Sequence, residues 1–260
     1  MSVELEKELR RKGIKVYCDA TVTEILEEEG SLSCIITPND GSGPVKTRAG
    51  QILMAIGRRP DVSRLLGKDI SLDMKDGKIA VDSDFETSEP GVYAIGDVAA
   101  RTQLAHVAAA QGTYVVEKIA GRPHSIKLEV VPNGMFVSLP IVPNCIYTDP
   151  EIATVGITEE IAKKYGLKVR CGHFSMRDNG KSIITGEEHG FIRLLFEAYS
   201  NTIVGAQMMC PRATDMIGEI ATAIANGLTA QEMSFAMRAQ PTYNEGIGAA
   251  IEDAMRQNPV

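Results

Sequence analysis

The sequence predicts an α/β portion followed by an α+β domain, the latter an antiparallel sheet with helices on one side. Three observations predict this. The chain has 260 residues, of which 44 % are hydrophobic, enough for one large or two medium domains with real cores. The first half mixes a helical repeat with alternating and continuous apolar runs. The second half alternates short strand-like runs with helices.

Taken in order, residues 2–12 place apolar and charged side chains at helical spacing, and Gly13 is placed to cap that helix. "IKVYC" (Ile14–Cys18) reads as a strand. "TVTEILEEE" and "SLSCIIT" alternate with period two and form a meander, and "PNDGSGPV" is a turn cluster. "QILMAIG" (Gln51–Gly57) is almost continuously apolar, the pattern of a strand buried on both faces. A polar connector leads to two strands, "KIAVD" (Lys78–Asp82) and "GVYAIGD" (Gly91–Asp97). A helix spans Thr102–Ala120, stopped by Gly121 and Pro123.

A linker follows, with a domain boundary near Asn133. "PNCIYTDPEIATVG" holds two short strands, and Thr158 caps the helix "TEEIAKKYG". "LKVRCGHFS", "GFIRLLFEA" and "TIVGAQMMC" are strands. "ATDMIGEIATAIANGL", the Thr229-capped "TAQEMSFAM" and "NEGIGAAIEDAMR" are helices.

Composition narrows the chemistry. A net charge of -7 argues against nucleic acid or an anionic membrane as partner. No apolar run reaches membrane-spanning length and the start is no signal peptide, so a cytoplasmic protein is expected. Five scattered cysteines and four histidines show no metal-ligand spacing, so no metal site is expected. No G-x-G-x-x-G occurs; "GIGAAI" lacks the third glycine and follows no strand.

Four stretches could carry chemistry. In "TSEPGVYAIGD" a strand ends at Gly96, which permits close approach to the backbone, and Asp97 follows it. A carboxylate there either accepts hydrogen bonds from polyol hydroxyls or caps the next helix. "LAHVAAAQG" begins that helix, whose N-terminal amides suit an anion or an electron-rich ring. "MAIGRRPD" is a strand exit through Gly57 with a solvated basic pair. In "RAQPTYNEGIG", Pro241 suits the first turn of a helix and Glu245 suits its dipole.

In order, "AIGRRPD", "TSEPGVYAIGDVA", "LAHVAAAQG", "IYTDPEIATVGITEE", "GFIRLLFE", "TIVGAQMM" and "QPTYNE" resemble the pyridine nucleotide-disulfide oxidoreductases, with the greatest likeness to the dihydrolipoamide dehydrogenase group. The resemblance covers almost the whole chain. It implies that residues 1–60 are the remainder of an NAD-binding domain, 61–133 a central FAD-contacting segment and 134–260 a dimerisation domain. The half with the first FAD glycine loop and the redox-active cysteine pair is absent, as in a truncated product, a gene fragment or a cleaved chain.

The resemblance also implies roles. Asp97, after Gly96, holds the ribitol of FAD. Leu104, Ala105 and His106 lie beside the flavin, mainly through backbone groups, and Gly57 shapes the passage out of the NAD domain. The family's His-Pro-Thr…Glu pattern supplies a base that acts across a homodimer interface. Here Gln240 stands at that His position, with Pro241, Thr242 and Glu245 matching, and Arg238 replaces a second histidine. A glutamine amide cannot shuttle a proton, and loss of a positioned base costs roughly 10²–10⁴ in rate.

The implied cofactors are FAD and NAD. The implied partners are a second copy of the chain, the absent N-terminal half and oxo-acid dehydrogenase complex components. The whole would be an oxidoreductase and this chain alone inactive. Two alternatives stand beside it: part of a transhydrogenase- or diaphorase-like flavoenzyme without thiol chemistry, or a non-catalytic dimerisation module.

Overall fold

A computed structural model describes residues 1–28, 30–62, 65–67, 70–100, 102–130 and 139–257. The chain divides into two compact units, Met1–Arg59 and Pro60–Val260. The boundary expected near Asn133 lies outside the described residues.

The first unit opens with helix α1 (Ser2–Arg11), closed through Lys12 and Gly13 as the sequence predicts. Its i,i+3 and i,i+4 pairs, Lys7–Glu4 and Arg10–Glu6, lie on a solvated face. Strands β1 (Ala20–Glu28), β2 (Ser31–Pro38) and β3 (Val45–Ala49) form an antiparallel meander in the order β1-β2-β3. The third strand was not expected. It pairs with β2 across the predicted turn cluster.

Two expected strands are absent. Ile14–Cys18 and Gln51–Gly57 are irregular, and Leu53 and Ile56 are each 90 % exposed. Their apolar content is that of strands, but strand geometry needs a hydrogen-bonded neighbour. The meander takes neither run into its ladder.

The second unit begins with a small two-stranded ladder, β4 (Met74–Lys75) and β5 (Lys78–Ile79). Leu72, Ile79 and Ala94 form a local core there, with Val62, Leu66 and Val98 packed against it. "GVYAIGD" forms no full strand. It makes a single bridge, Tyr93 to Glu86, plus backbone bonds from Ala94 N to Phe85 O and from Thr87 N to Val92 O. Its neighbour is only a few residues long, and the run then enters a 3₁₀ turn at Gly96–Val98. Helix α2 (Ala105–Ile119) follows, then the short pair β6 (Glu129–Val130) and β7 (Leu139–Pro140).

The remainder matches the expected architecture. Strands β8 (Asn144–Ile146), β9 (Ile152–Gly156), β10 (Val169–Ser175), β11 (Phe191–Glu197) and β12 (Ile203–Met209) form one antiparallel sheet in the order β10-β11-β12-β9-β8. Alternation along β11 divides the core. Ile192, Leu194 and Phe196 face helices α5 (Ala213–Ala225) and α7 (Glu245–Arg256), contributing to the main cluster with Ile220, Ile224, Ile247 and Ile251. Leu195 points the other way, joining Val204, Ile157 and Ala162 of the short helix α3 (Glu159–Lys164). The long helices thus share one face, and α3 covers the other.

Caps fall where the residue types ask for them. Thr158 accepts from Ile161 N. Thr229 and Glu232 form a capping box at helix α6 (Ala230–Ser234). An unexpected helix, α4 (Gly180–Thr185), is bounded by an Asn179 cap and a left-handed Gly186.

Candidate functional site

Two places hold the residues singled out from the sequence, Gly57 excepted. The first is the turn between the Tyr93 bridge and α2. Gly96 has φ +67°, and a Cβ there would lie 2.8 Å from Ala108 Cβ, so the turn is pressed against the second turn of α2. The buried Gly96 amide donates to Gln111 Oε1 at 2.8 Å. Ala100 N closes the turn on Gly96 O at 2.7 Å, and Lys78 Nζ fastens Ala100 O from β5, also at 2.7 Å. Asp97 sits inside this turn, half-buried.

Leu104 is the extended N-cap of α2 and provides no side-chain cap. Val107 and Ala108 amides bond to Leu104 O, so the amides of Ala105 and His106 are the ones with no intrahelical acceptor. Both residues are exposed, while Leu104 is half-buried. The His106 Nε2 lies 2.9 Å from Pro143 O. A carbonyl only accepts, so Nε2 carries the hydrogen, and the ring ties the start of α2 to the segment before β8. The structure thus gathers Gly96 and Asp97 against the helix that carries Leu104, Ala105 and His106. Gly57 belongs to the first unit, with φ +123° in an irregular exit.

The second place is the loop before α7. Gln240 is exposed and joined to Pro241 by a cis peptide. Pro241 precedes the helix instead of lying in its first turn: α7 starts at Glu245, whose Oε2 accepts from Thr242 N at 2.9 Å. The carboxylate satisfies a loop amide, so the helix begins later than the proline implied. Thr242 Oγ1 donates to Ala239 O at 2.7 Å, and Asn179 Nδ2 donates to Thr242 O at 3.0 Å.

Beside this loop lies a cleft of about 590 Å³, lined among others by Met216, Glu219, Arg238, Thr242 and Asn244. Arg238 is only 10 % exposed and ion-paired to Glu219 at 2.6 Å, while Asn244 Nδ2 holds the other Glu219 oxygen at 2.9 Å. This network was not anticipated, since its members are 19 and 25 residues apart in sequence. Tyr243 donates to Glu187 and lies 2.9 Å from the Thr185 hydroxyl. Burial, then the Glu187 hydrogen bond, pushes the Tyr243 phenol above its ordinary range. Gln111, which accepts from the Gly96 amide, was not singled out from the sequence either. Its signal was a lone amide within the apolar run "HVAAAQG".

Comparison with known proteins gives a consistent result. The family profile "Pyridine nucleotide-disulphide oxidoreductase" matches residues 1–112, and "Pyridine nucleotide-disulphide oxidoreductase, dimerisation domain" matches residues 142–251. A dihydrolipoyl dehydrogenase of Geobacillus stearothermophilus is 33 % identical over 257 residues, covering 98 % of this chain and 52 % of the relative. One from Rhizobium etli is 32 % identical over 248 residues, covering 95 % and 50 %. The chain spans about half the length of the curated relatives it matches. Among solved structures, LpdA from Mycobacterium tuberculosis superposes with a TM-score of 0.82 at 23 % identity, covering 96 % of this chain and 51 % of that one. At that identity the likeness concerns the fold.

Proposed function

Since this chain belongs to the pyridine nucleotide-disulphide oxidoreductase family, we propose that it supplies one wall of the FAD site and the homodimer interface of a dihydrolipoyl dehydrogenase-like oxidoreductase. On this reading residues 1–60 serve the NAD-binding domain, 61–133 contact FAD, and 134–260 pair two copies. The observation that carries it is the fixed turn that holds Asp97 against α2.

The residues fit one end of FAD. Asp97 accepts from ribityl hydroxyls, and the amides of Ala105 and His106 offer donors to a ring carbonyl. His106 keeps the helix start in place through Pro143. FAD, when bound, supplies the ring that takes up and passes on electrons. The described residues contain no glycine-rich loop, so they provide neither a pyrophosphate cradle nor a complete site for NAD. The chain alone is accordingly inactive in NADH-dependent lipoamide reduction.

The test is amide NMR of the full chain during FAD addition. Shifts should concentrate at Gly96, Asp97 and Leu104–His106, and Asp97→Ala should weaken FAD binding by roughly tenfold to a hundredfold. Shifts that avoid all five residues would remove the reading.

Gln240 favours a second reading, a transhydrogenase- or diaphorase-like flavoenzyme without thiol chemistry. An exposed amide takes no proton from a dithiol. Arg238, two residues earlier, is committed to Glu219. Placing a base there by Gln240→His, in a chain complemented with the N-terminal half of a dihydrolipoyl dehydrogenase relative, discriminates the readings. A gain in lipoamide reduction supports dithiol chemistry, and no gain supports the second reading.

A further inference from the structure

We propose that Gln111 is a positioning residue, which fixes the Gly96–Asp97 turn through the Gly96 amide and thereby sets how well Asp97 meets a ribityl chain. This rests on the flavin reading above. Gln111 lies inside α2, two turns past its start, and is only 8 % exposed. An amide side chain at an apolar helix position costs stability unless it is hydrogen-bonded. Here its Oε1 accepts from Gly96 N at 2.8 Å in a buried setting. Gly96 N–H can only donate, so the oxygen faces the turn.

The Ala99 and Ala100 amides close the turn on Gly96 O, and Gln111 fastens its other side, the Gly96 amide, to α2. At φ +67° Gly96 departs from extended backbone, and its α-carbon face is filled by Ala108, also on α2. Ala108 blocks one direction and Gln111 pulls from another. Both come from the helix whose first turn presents Ala105 and His106. One rigid element therefore sets the acceptor, Asp97, and the donors together. Gln111 touches no ligand; it acts through the backbone to which Asp97 is attached.

The experiment compares Gln111→Met, which keeps the shape without the amide oxygen, with Gln111→Glu, which keeps an oxygen at the same reach. Gln111→Asn, which withdraws the oxygen by one carbon, substitutes for the methionine variant should that fail to fold. Amide exchange in the full chain should rise at Gly96–Val98 in Gln111→Met and stay near the parent rate in Gln111→Glu. FAD affinity by NMR titration should fall about fivefold in Gln111→Met, the loss of one hydrogen bond's net contribution, and be restored in Gln111→Glu.

A packing role alone would raise exchange throughout α2, with no rescue by the carboxylate, and that result would overturn the proposal. Unchanged exchange at Gly96 in Gln111→Met, or in Gln111→Asn where it takes that variant's place, would also overturn it. A parent chain that shows no shifts with FAD removes the flavin reading instead, while the exchange comparison still decides whether Gln111 holds the turn.

Discussion

Gly96 has no room for even one more carbon. Its positive φ disfavours any side chain, and the nearest atom to a new Cβ is another side-chain carbon 2.8 Å away. Gly96→Ala should lower stability by about 2–4 kcal/mol, read from urea denaturation, and should weaken FAD binding beyond what the stability loss explains. Glu28 makes a different residue-scale prediction. Hydrogen bonds to Lys46, then Arg48, hold its carboxyl down at about 2 against an ordinary 4.5. Because the folded value is depressed, this contribution is complete above 4.5 and is lost as pH falls from there towards about 2. The protection of β1–β3 amides, taken against the intrinsic exchange rate at each pH, should fall over that acid window, and Glu28→Gln should remove the acid-dependent part. At this scale the sequence revealed the Gly96 turn and the Thr229 cap, because those residue types suit only a few local geometries. It could not reveal Gln111 or the Arg238–Glu219–Asn244 network, since those depend on which side chains meet across elements.

At the scale of elements, helix α7 closes the outer edge of the main sheet. Asp253 Oδ2 accepts from His173 N at 2.9 Å, and Gln257 Nε2 donates to Cys171 O at 2.8 Å, so the exposed backbone of β10 is occupied. Between them, Gly172 approaches so closely that a Cβ would lie 1.9 Å from Ala250 O, a backbone atom of α7. Gly172→Ala should therefore cost at least about 2–3 kcal/mol, measured by thermal unfolding, and should raise exchange along β10. Strands β10, β11 and β12 were legible as short runs carrying apolar residues, and each finds a long antiparallel neighbour. "IKVYC" and "QILMAIG" carry equally strong apolar signals. They failed as strands because composition reports what a residue prefers, and a ladder also needs a partner.

Across the whole molecule the two units differ in what they bury. Among the described residues of Met1–Arg59, Ser33 alone is buried, whereas Pro60–Val260 encloses a broad apolar cluster between its sheet and α5 and α7. Buried apolar contact is the main source of resistance to local opening. Amides of β1–β3 should therefore exchange at least about tenfold faster than those of β11 and β12, in a single exchange measurement on the full chain. The α+β architecture of the second half was legible because its strands and long helices bury one another's apolar faces. The first half was legible only as separate runs.

The chain from Gln51 to Gly57 has a practical consequence. Leucine, methionine and isoleucine left in water make an adhesive ribbon. Preparations should brighten an apolar dye such as ANS and cloud as they are concentrated. Leu53→Lys with Ile56→Lys should dim the dye and clear the solution.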